Sequence, residues 1–244
     1  MRNADHSEIL QLIREHSGKP TQHTFLDSYL GNDHPRYPIS APMLRKIAKE
    51  WMRDHPGLNA ENFAKLLTSL AKGASSTEKC MVGILLDCSS AEQRKFDPDL
   101  FDVWLEHLVG WAEVDSVCTG KYPASEVMPQ WKKWNPLIIR FSKSKNINKR
   151  RASLVIFCSP LRNIQDERLV DLAFTTIDRL KHEKEILITK AISWVLRSMD
   201  KLYREKLADY LDNNSETLPK IAVRETRVKL ETGVKNRRKV KNEK

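Results

Sequence analysis

Apolar residues recur along this chain at intervals of three and four, not two. That is the period of helices with one buried face. Ile9, Leu10, Leu12 and Ile13 predict a first helix over about 5–16, starting at Asp5 or Ser7. A second short helix is expected over about 21–30. Leu44, Ile47, Ala48 and Trp51 mark a third, with Ser40 as its cap and Pro42 in its first turn. Asn59 can cap a fourth that turns Phe63, Leu66, Leu67 and Leu70 inward. Ser75 and Glu78 have the S-x-x-E spacing of a capping box and open a fifth, to about Asp87. Asp97-Pro98 starts another that ends near Gly110. Helices are expected next over about 111–119, 123–132, 135–143, 147–158, 166–181, 183–198, 201–212 and 215–230. No stretch alternates as a half-buried strand does.

Short helices joined by brief turns predict antiparallel pairs. Ser40 and Ser75 open successive pairs 35 residues apart, near the period of helical repeats. The chain therefore reads as all-α, a curved α-solenoid of HEAT-like antiparallel helix pairs with a concave surface. An irregular helical bundle has the same periodicity. Residues 1–232 are expected to form a single repeat domain, and 233–244 a disordered basic tail.

Several chemistries are disfavoured. With only eight glycines, the chain has no G-x-x-x-x-G-K-[ST] and no G-x-G-x-x-G, and it also lacks H-E-x-x-H and G-x-S-x-G. The seven histidines are scattered without ligand spacing, so neither a metal nor a cofactor is expected. Cys80, Cys88, Cys118 and Cys158 form no C-x-x-C and read as reduced, buried thiols of a cytoplasmic protein, nucleoid-associated if bacterial. No apolar run approaches the roughly 18–20 residues of a membrane span. A monomer is expected.

Charge changes the picture more. The net charge is +10, and its placement is uneven. The last ten residues, KNRRKVKNEK, hold six Lys/Arg and one Glu. Residues 131–151, WKKWNPLIIRFSKSKNINKRR, hold eight Lys/Arg and no acid. This predicts a focused basic surface and a polyanionic partner, with a merely solvated face as the alternative.

Four segments could meet on a concave face. WAEVD sets Trp111 and Asp115 four apart, on one side of a helix. NKRRASLVIF supplies Arg150 and Arg151, KAISWVLR supplies Lys190, Trp194 and Arg197, and DSYL supplies Tyr29. An aromatic wall beside a carboxylate suits a cation. Basic residues at its rim, with Lys132 and Lys133 nearby, suit phosphates. DNA carrying an N-alkylated purine is cationic at one point and polyanionic along its length. Such a base leaves with little protonation. A carboxylate would stabilise the oxocarbenium-like sugar and orient the attacking water.

Each residue also has an ordinary reading. Trp111 and Trp194 can be packing residues. Asp115 can be a surface carboxylate with a basic neighbour. Arg151 can be a solvated arginine, although a cation near a helix start opposes the macrodipole. Lys190 and Arg197 read either as a phosphate-facing rim or as members of an ion pair within the fold.

Taken together, W-x-x-x-D at Trp111 and Asp115, R-R-A at Arg150 to Ala152 and K-A-I-S-W-V-L-R at 190–197 carry a resemblance. A-V-R-E at 222–225 and P-x-L-R at Pro42 to Arg45 add to it. Over roughly residues 20–230 the chain resembles the AlkD-like DNA alkylation repair family, the HEAT-like alkylpurine DNA glycosylases. The resemblance implies a curved helical solenoid with duplex DNA in its channel. It implies metal-free hydrolysis of the N-glycosidic bond of cationic N3- or N7-alkylated purines, with the damaged nucleotide left stacked instead of extruded. It implies that Asp115 is the catalytic carboxylate and that Trp111 and Trp194 are aromatic walls. It also implies that Arg151 is the neighbouring cation that holds phosphate, and that Tyr29 faces DNA.

The chain departs from the family at Phe141, where a tryptophan is expected, at Asn148, where an aromatic is common, and at Ser193, where glycine is common. YPIS at 37–40 replaces the usual Gly-Val. Two other readings stand beside the glycosylase: a non-catalytic DNA-binding protein of the same fold, and a helical-repeat scaffold for acidic proteins.

Overall fold

The computed structural model describes residues 3–21 and 31–235. Among the described residues the chain is helical, with one isolated antiparallel bridge between Thr21 and Arg36 and no strand. The helices are α1 (Ala4–Glu15), α2 (Ala41–Asp54), α3 (Ala60–Ala71), α4 (Ser76–Cys88), α5 (Leu100–Leu105), α6 (Gly110–Cys118) and α7 (Lys121–Glu126). They continue as α8 (Trp131–Ser142), α9 (Ile147–Val155), α10 (Pro160–Asn163), α11 (Glu167–Leu180), α12 (Ile186–Ser198), α13 (Arg204–Asn214) and α14 (Lys220–Thr232). No described helix is long and apolar enough to cross a membrane.

The caps expected at three helix starts are formed. Ser40 accepts the Met43 N–H, Asn59 accepts the Asn62 N–H, and Ser75 and Glu78 complete a reciprocal capping box. Each satisfies backbone donors that a helix start leaves unpaired. The first helix instead begins one residue earlier, because Asn3 accepts the N–H groups of Asp5 and His6.

The middle of the chain differs from expectation. The helix expected from Asp97-Pro98 to Gly110 is confined to Leu100–Leu105, and Gly110 opens the next helix. Gly110 has φ +74°, a left-handed conformation that glycine adopts at no steric cost. The break expected at 132–135 falls instead at 127–130, and Pro136 lies inside α8. Pro136 has no N–H to give the Lys132 carbonyl, a loss that costs about 3 kcal/mol in a helix interior. Burial of Trp134 offsets it. That ring is fully buried and packs edge-on to Phe101 at 4.9 Å, while Phe101 also meets Trp104 at 4.9 Å and Tyr122 at 5.2 Å. The helix expected over 147–158 ends at Val155, and the short α10 follows it. Thr21 belongs to the bridge and not to a helix, and the rest of the second expected helix lies outside the described residues.

The helices stack in two rows. In one, α2, α4, α6, α9, α12 and α14 pack in that order, each on the next. In the other, α1, α3 and α5 pack in succession, as do α8 and α11. Pairs such as α3 with α4 and α8 with α9 join the rows, giving a curved solenoid of antiparallel pairs. The buried apolar residues form one cluster from Ile9 to Ala222.

Two of the positions at which the resemblance breaks are packing residues. Phe141 is buried within the cluster. Tyr37 of YPIS is also buried, and its N–H donates to Thr77 Oγ1 at 3.0 Å.

The row that carries the tryptophans depends on one glycine. A Cβ on Gly83 of α4 would lie 1.8 Å from the Ser116 carbonyl oxygen of α6. That obstacle is backbone, so the helices themselves would have to part. Gly83→Ala should therefore destabilise the protein by about 2–3 kcal/mol or more, at the upper end of overpacking. A urea midpoint equal to wild type would show that α4 and α6 can separate freely.

Candidate functional site

Helices α6, α9, α12 and α14 meet around a cleft of about 480 Å³. It is built from α6 upward. The Val109 N–H donates to Glu113 Oε2 at 2.8 Å, and the Gly110 N–H donates to Asn148 Oδ1 at 3.0 Å. These bonds tie the start of α6 to itself and to α9. Asn148 therefore helps to orient the turn that carries Trp111.

Trp111 and Asp115 lie one helical turn apart, and both line the cleft. Asp115 is nearly buried, at 9% exposure. Arg151, on α9, meets it with a two-pronged fork: Nε donates to Oδ1 at 2.8 Å and Nη2 to Oδ2 at 2.7 Å. The remaining prong, Nη1, donates to the Leu187 carbonyl at the start of α12. One guanidinium thus joins three helices. Paired charge-assisted bonds of this kind are strong and directional.

Burial pushes the Asp115 carboxyl above its ordinary value, and the hydrogen bonds and charge of Arg151 oppose that rise. A carboxylate has about four acceptor sites, and Arg151 uses two, so each oxygen keeps capacity for a further donor. The thiols of Cys118 and Cys158 lie in the dry region behind the pair. Burial pushes Cys158 up to about 12 and Cys118 higher still, so both stay protonated and unreactive.

Trp194 forms another wall of the cleft and is partly buried against the core. The guanidinium of Arg162 sits 5.9 Å from the centre of its ring. Lys190 and Arg197 line the cleft on the same helix, and Glu225 of α14 faces them. Arg197 Nη2 lies 3.5 Å from Glu225 Oε2, so of its two readings the ion pair within the fold is formed at the cleft edge.

The structure thus brings Trp111, Asp115, Arg151, Lys190, Trp194 and Arg197 to one cavity. Arg150 and the two lysines do not line it. Arg150 is held by Glu183 at 2.8 Å and by the carbonyls of Ser144 and Lys145. Lys132 and Lys133 are exposed on α8, and Lys133 pairs with Asp97 at 3.2 Å. Tyr29 lies outside the described residues.

The basic run at 131–151 is also not the focused surface expected from its charge count. Five of its eight cations meet acids from other segments. Lys133 pairs with Asp97, Arg140 with Asp99, Lys149 with Asp102 and Glu106, Arg150 with Glu183 and Arg151 with Asp115. Acids distant in sequence become neighbours once α5, α8 and α9 pack.

Sequence reasoning missed Glu225, Ile186 and Leu187, and Lys235, expected only as the head of a basic tail, also lines the cleft. Glu225 stands in the A-V-R-E motif but carries no spacing signal towards Asp115. Leu187 acts through its carbonyl, which every residue has.

A larger cavity of about 1050 Å³ lies over α3, with Ala60, Ala64 and Thr68 on its floor. Two of its lysines are engaged locally, Lys65 with Glu61 and Lys95 with Glu92. It holds neither tryptophan of the motif set nor Asp115. Among the described residues, no three His, Cys, Asp or Glu side chains gather as a metal site would require.

Comparison with known proteins agrees with the architecture. The family model described as DNA alkylation repair enzyme matches residues 10–230. A solved structure described as a predicted DNA alkylation repair enzyme from Enterococcus faecalis is similar in fold, with a TM-score of 0.68. It is 18% identical, and the match covers 85% of this chain and 93% of that one. No curated protein matches the chain. With a family match that begins in α1, ends in α14 and takes in every helix lining the cleft, the chain belongs to the DNA alkylation repair enzyme family.

Proposed function

We propose that the protein is a DNA glycosylase that hydrolyses the N-glycosidic bond of cationic N3- or N7-alkylated purines in duplex DNA. The observation that carries this reading is the buried Asp115–Arg151 pair in a cleft walled by Trp111 and Trp194. A cationic purine needs no strong acid to leave. It needs negative charge near the sugar as the bond lengthens, and two aromatic faces that tolerate a cation. Asp115 supplies the charge and, through its remaining acceptor sites, orients the attacking water. Arg151 opposes the rise that burial imposes on this carboxyl and fixes it in place, so that little reorganisation is needed as charge develops. Lys190 at the cleft edge receives phosphate, and the exposed Lys132 and Lys133 add long-range attraction.

The test is release of 7-methylguanine or 3-methyladenine from methylated duplex DNA. Release by the wild-type protein supports the reading. No release, with tight and salt-dependent binding, would favour a DNA-binding protein that lacks the chemistry. Replacing one wall gives an independent check. Trp194→Ala should weaken binding to lesion-containing duplex by about 1–3 kcal/mol, the range for loss of an aromatic face against a nucleotide. The salt dependence of binding to undamaged duplex should be unchanged. Equal lesion affinity in the variant, measured by fluorescence anisotropy, would make Trp194 a packing residue only.

A further inference from the structure

Glu225 lines the same cleft as Asp115, but its hydrogen bonding differs. Its side chain is 12% exposed. Oε2 accepts the Ser193 hydroxyl at 2.7 Å. The cations near it stand farther off: Arg197 Nη2 is 3.5 Å from Oε2, and Lys235 Nζ is 3.7 Å from Oε1. Good N–H···O bonds span about 2.7–3.2 Å. Among the described residues, Oε1 therefore accepts no hydrogen bond. Both oxygens of Asp115, by contrast, hold short bonds from Arg151. Oε1 lines the cleft and so keeps its acceptor capacity for a ligand donor or cation.

We propose that Glu225 is a second ligand-facing carboxylate of the cleft, with Oε1 reading positive charge on the sugar or base of the bound nucleotide. This rests on the glycosylase reading above. It also gives a role to Ser193. Its hydroxyl holds Oε2 and so fixes which oxygen turns to the ligand. Lys235 is half exposed, and so distant an ion pair is worth little. A ligand cation can therefore take its place at small cost. Arg197 stays beside Glu225 on the Oε2 side.

The experiment separates charge from shape. Duplexes carry at one position either a protonated pyrrolidine or a neutral tetrahydrofuran in place of the deoxyribose, and the two affinities are compared within each variant. The wild type should prefer pyrrolidine. Glu225→Gln should cut that preference by about tenfold, the loss expected for one charge-assisted contact. Its tetrahydrofuran affinity should stay near wild type. Ser193→Ala keeps the carboxylate and should cut the preference less. Because the readout is a ratio, partial loss of folded protein cancels. If Glu225→Gln keeps the wild-type preference while Asp115→Asn loses it, the Glu225 proposal is overturned and the reading of Asp115 survives. If the wild type itself shows no preference, both are overturned.

Discussion

Asp115→Asn should reduce release of 7-methylguanine from methylated duplex by about 100–1,000-fold, the typical cost of removing one preorganised electrostatic partner of a transition state. Asparagine preserves the shape but turns an amide donor towards the Arg151 fork, which itself only donates. The cleft gains one net positive charge. Affinity for undamaged duplex should therefore hold or increase, even as the chemistry fails. That divergence is the informative part. A variant that simply unfolds loses binding and release together, whereas loss of the chemical group removes release alone. Single-turnover release measured beside anisotropy separates the cases. Release at the wild-type rate would remove Asp115 from the chemistry and leave Arg151 as the cation of a binding site.

The second large effect is on stability. Arg151→Ala leaves Asp115 buried without its partner, and breaking a buried pair from one side costs about 3–5 kcal/mol. It also detaches the Leu187 carbonyl from α9. The pH dependence has a definite sign. Burial already holds the Asp115 carboxyl above its ordinary value, so the folded state binds this proton more tightly than the unfolded chain does. Stability from that group is fully present below the unfolded value, about 3.9, and is lost as pH rises through the folded value. Removing Arg151 raises the folded value further and widens that window. The destabilisation of Arg151→Ala should thus be larger at about pH 8 than at about pH 5. Adding Asp115→Asn should recover part of it, because no charge is then buried alone. Urea unfolding of the four proteins at the two pH values completes the cycle. A pH-independent loss that Asp115→Asn does not relieve would place the effect in packing. In activity, the acid limb of the Arg151→Ala profile should move to higher pH, since the carboxylate must be ionised to act.

Much of this was legible from local patterns. Caps at Ser40, Asn59 and Ser75 depend on residues three positions apart, so they could be read directly from the chain. The face shared by Trp111 and Asp115 follows from a spacing of four on a helix. Gly110 was misplaced because a glycine reads equally well as a stop or a start, and its φ of +74° is a property of the packed turn. The break expected at 132–135 falls earlier, because burial of Trp134 in the aromatic cluster outweighs the one backbone bond lost at Pro136.

By itself, then, the sequence determined the helical class, several helix starts and the residue types able to handle a cation on a polyanion. These are local matters of period, capping and side-chain chemistry. Only the tertiary structure decided which charges survive as a site. It cancelled most of the basic run at 131–151 with acids from distant segments, and it withdrew Arg150 to Glu183. It also directed Arg151 into Asp115 and turned Glu225 into the same cleft. Charges interact through space, and a pairing across more than 30 residues depends on how helices stack, which no spacing along the chain records.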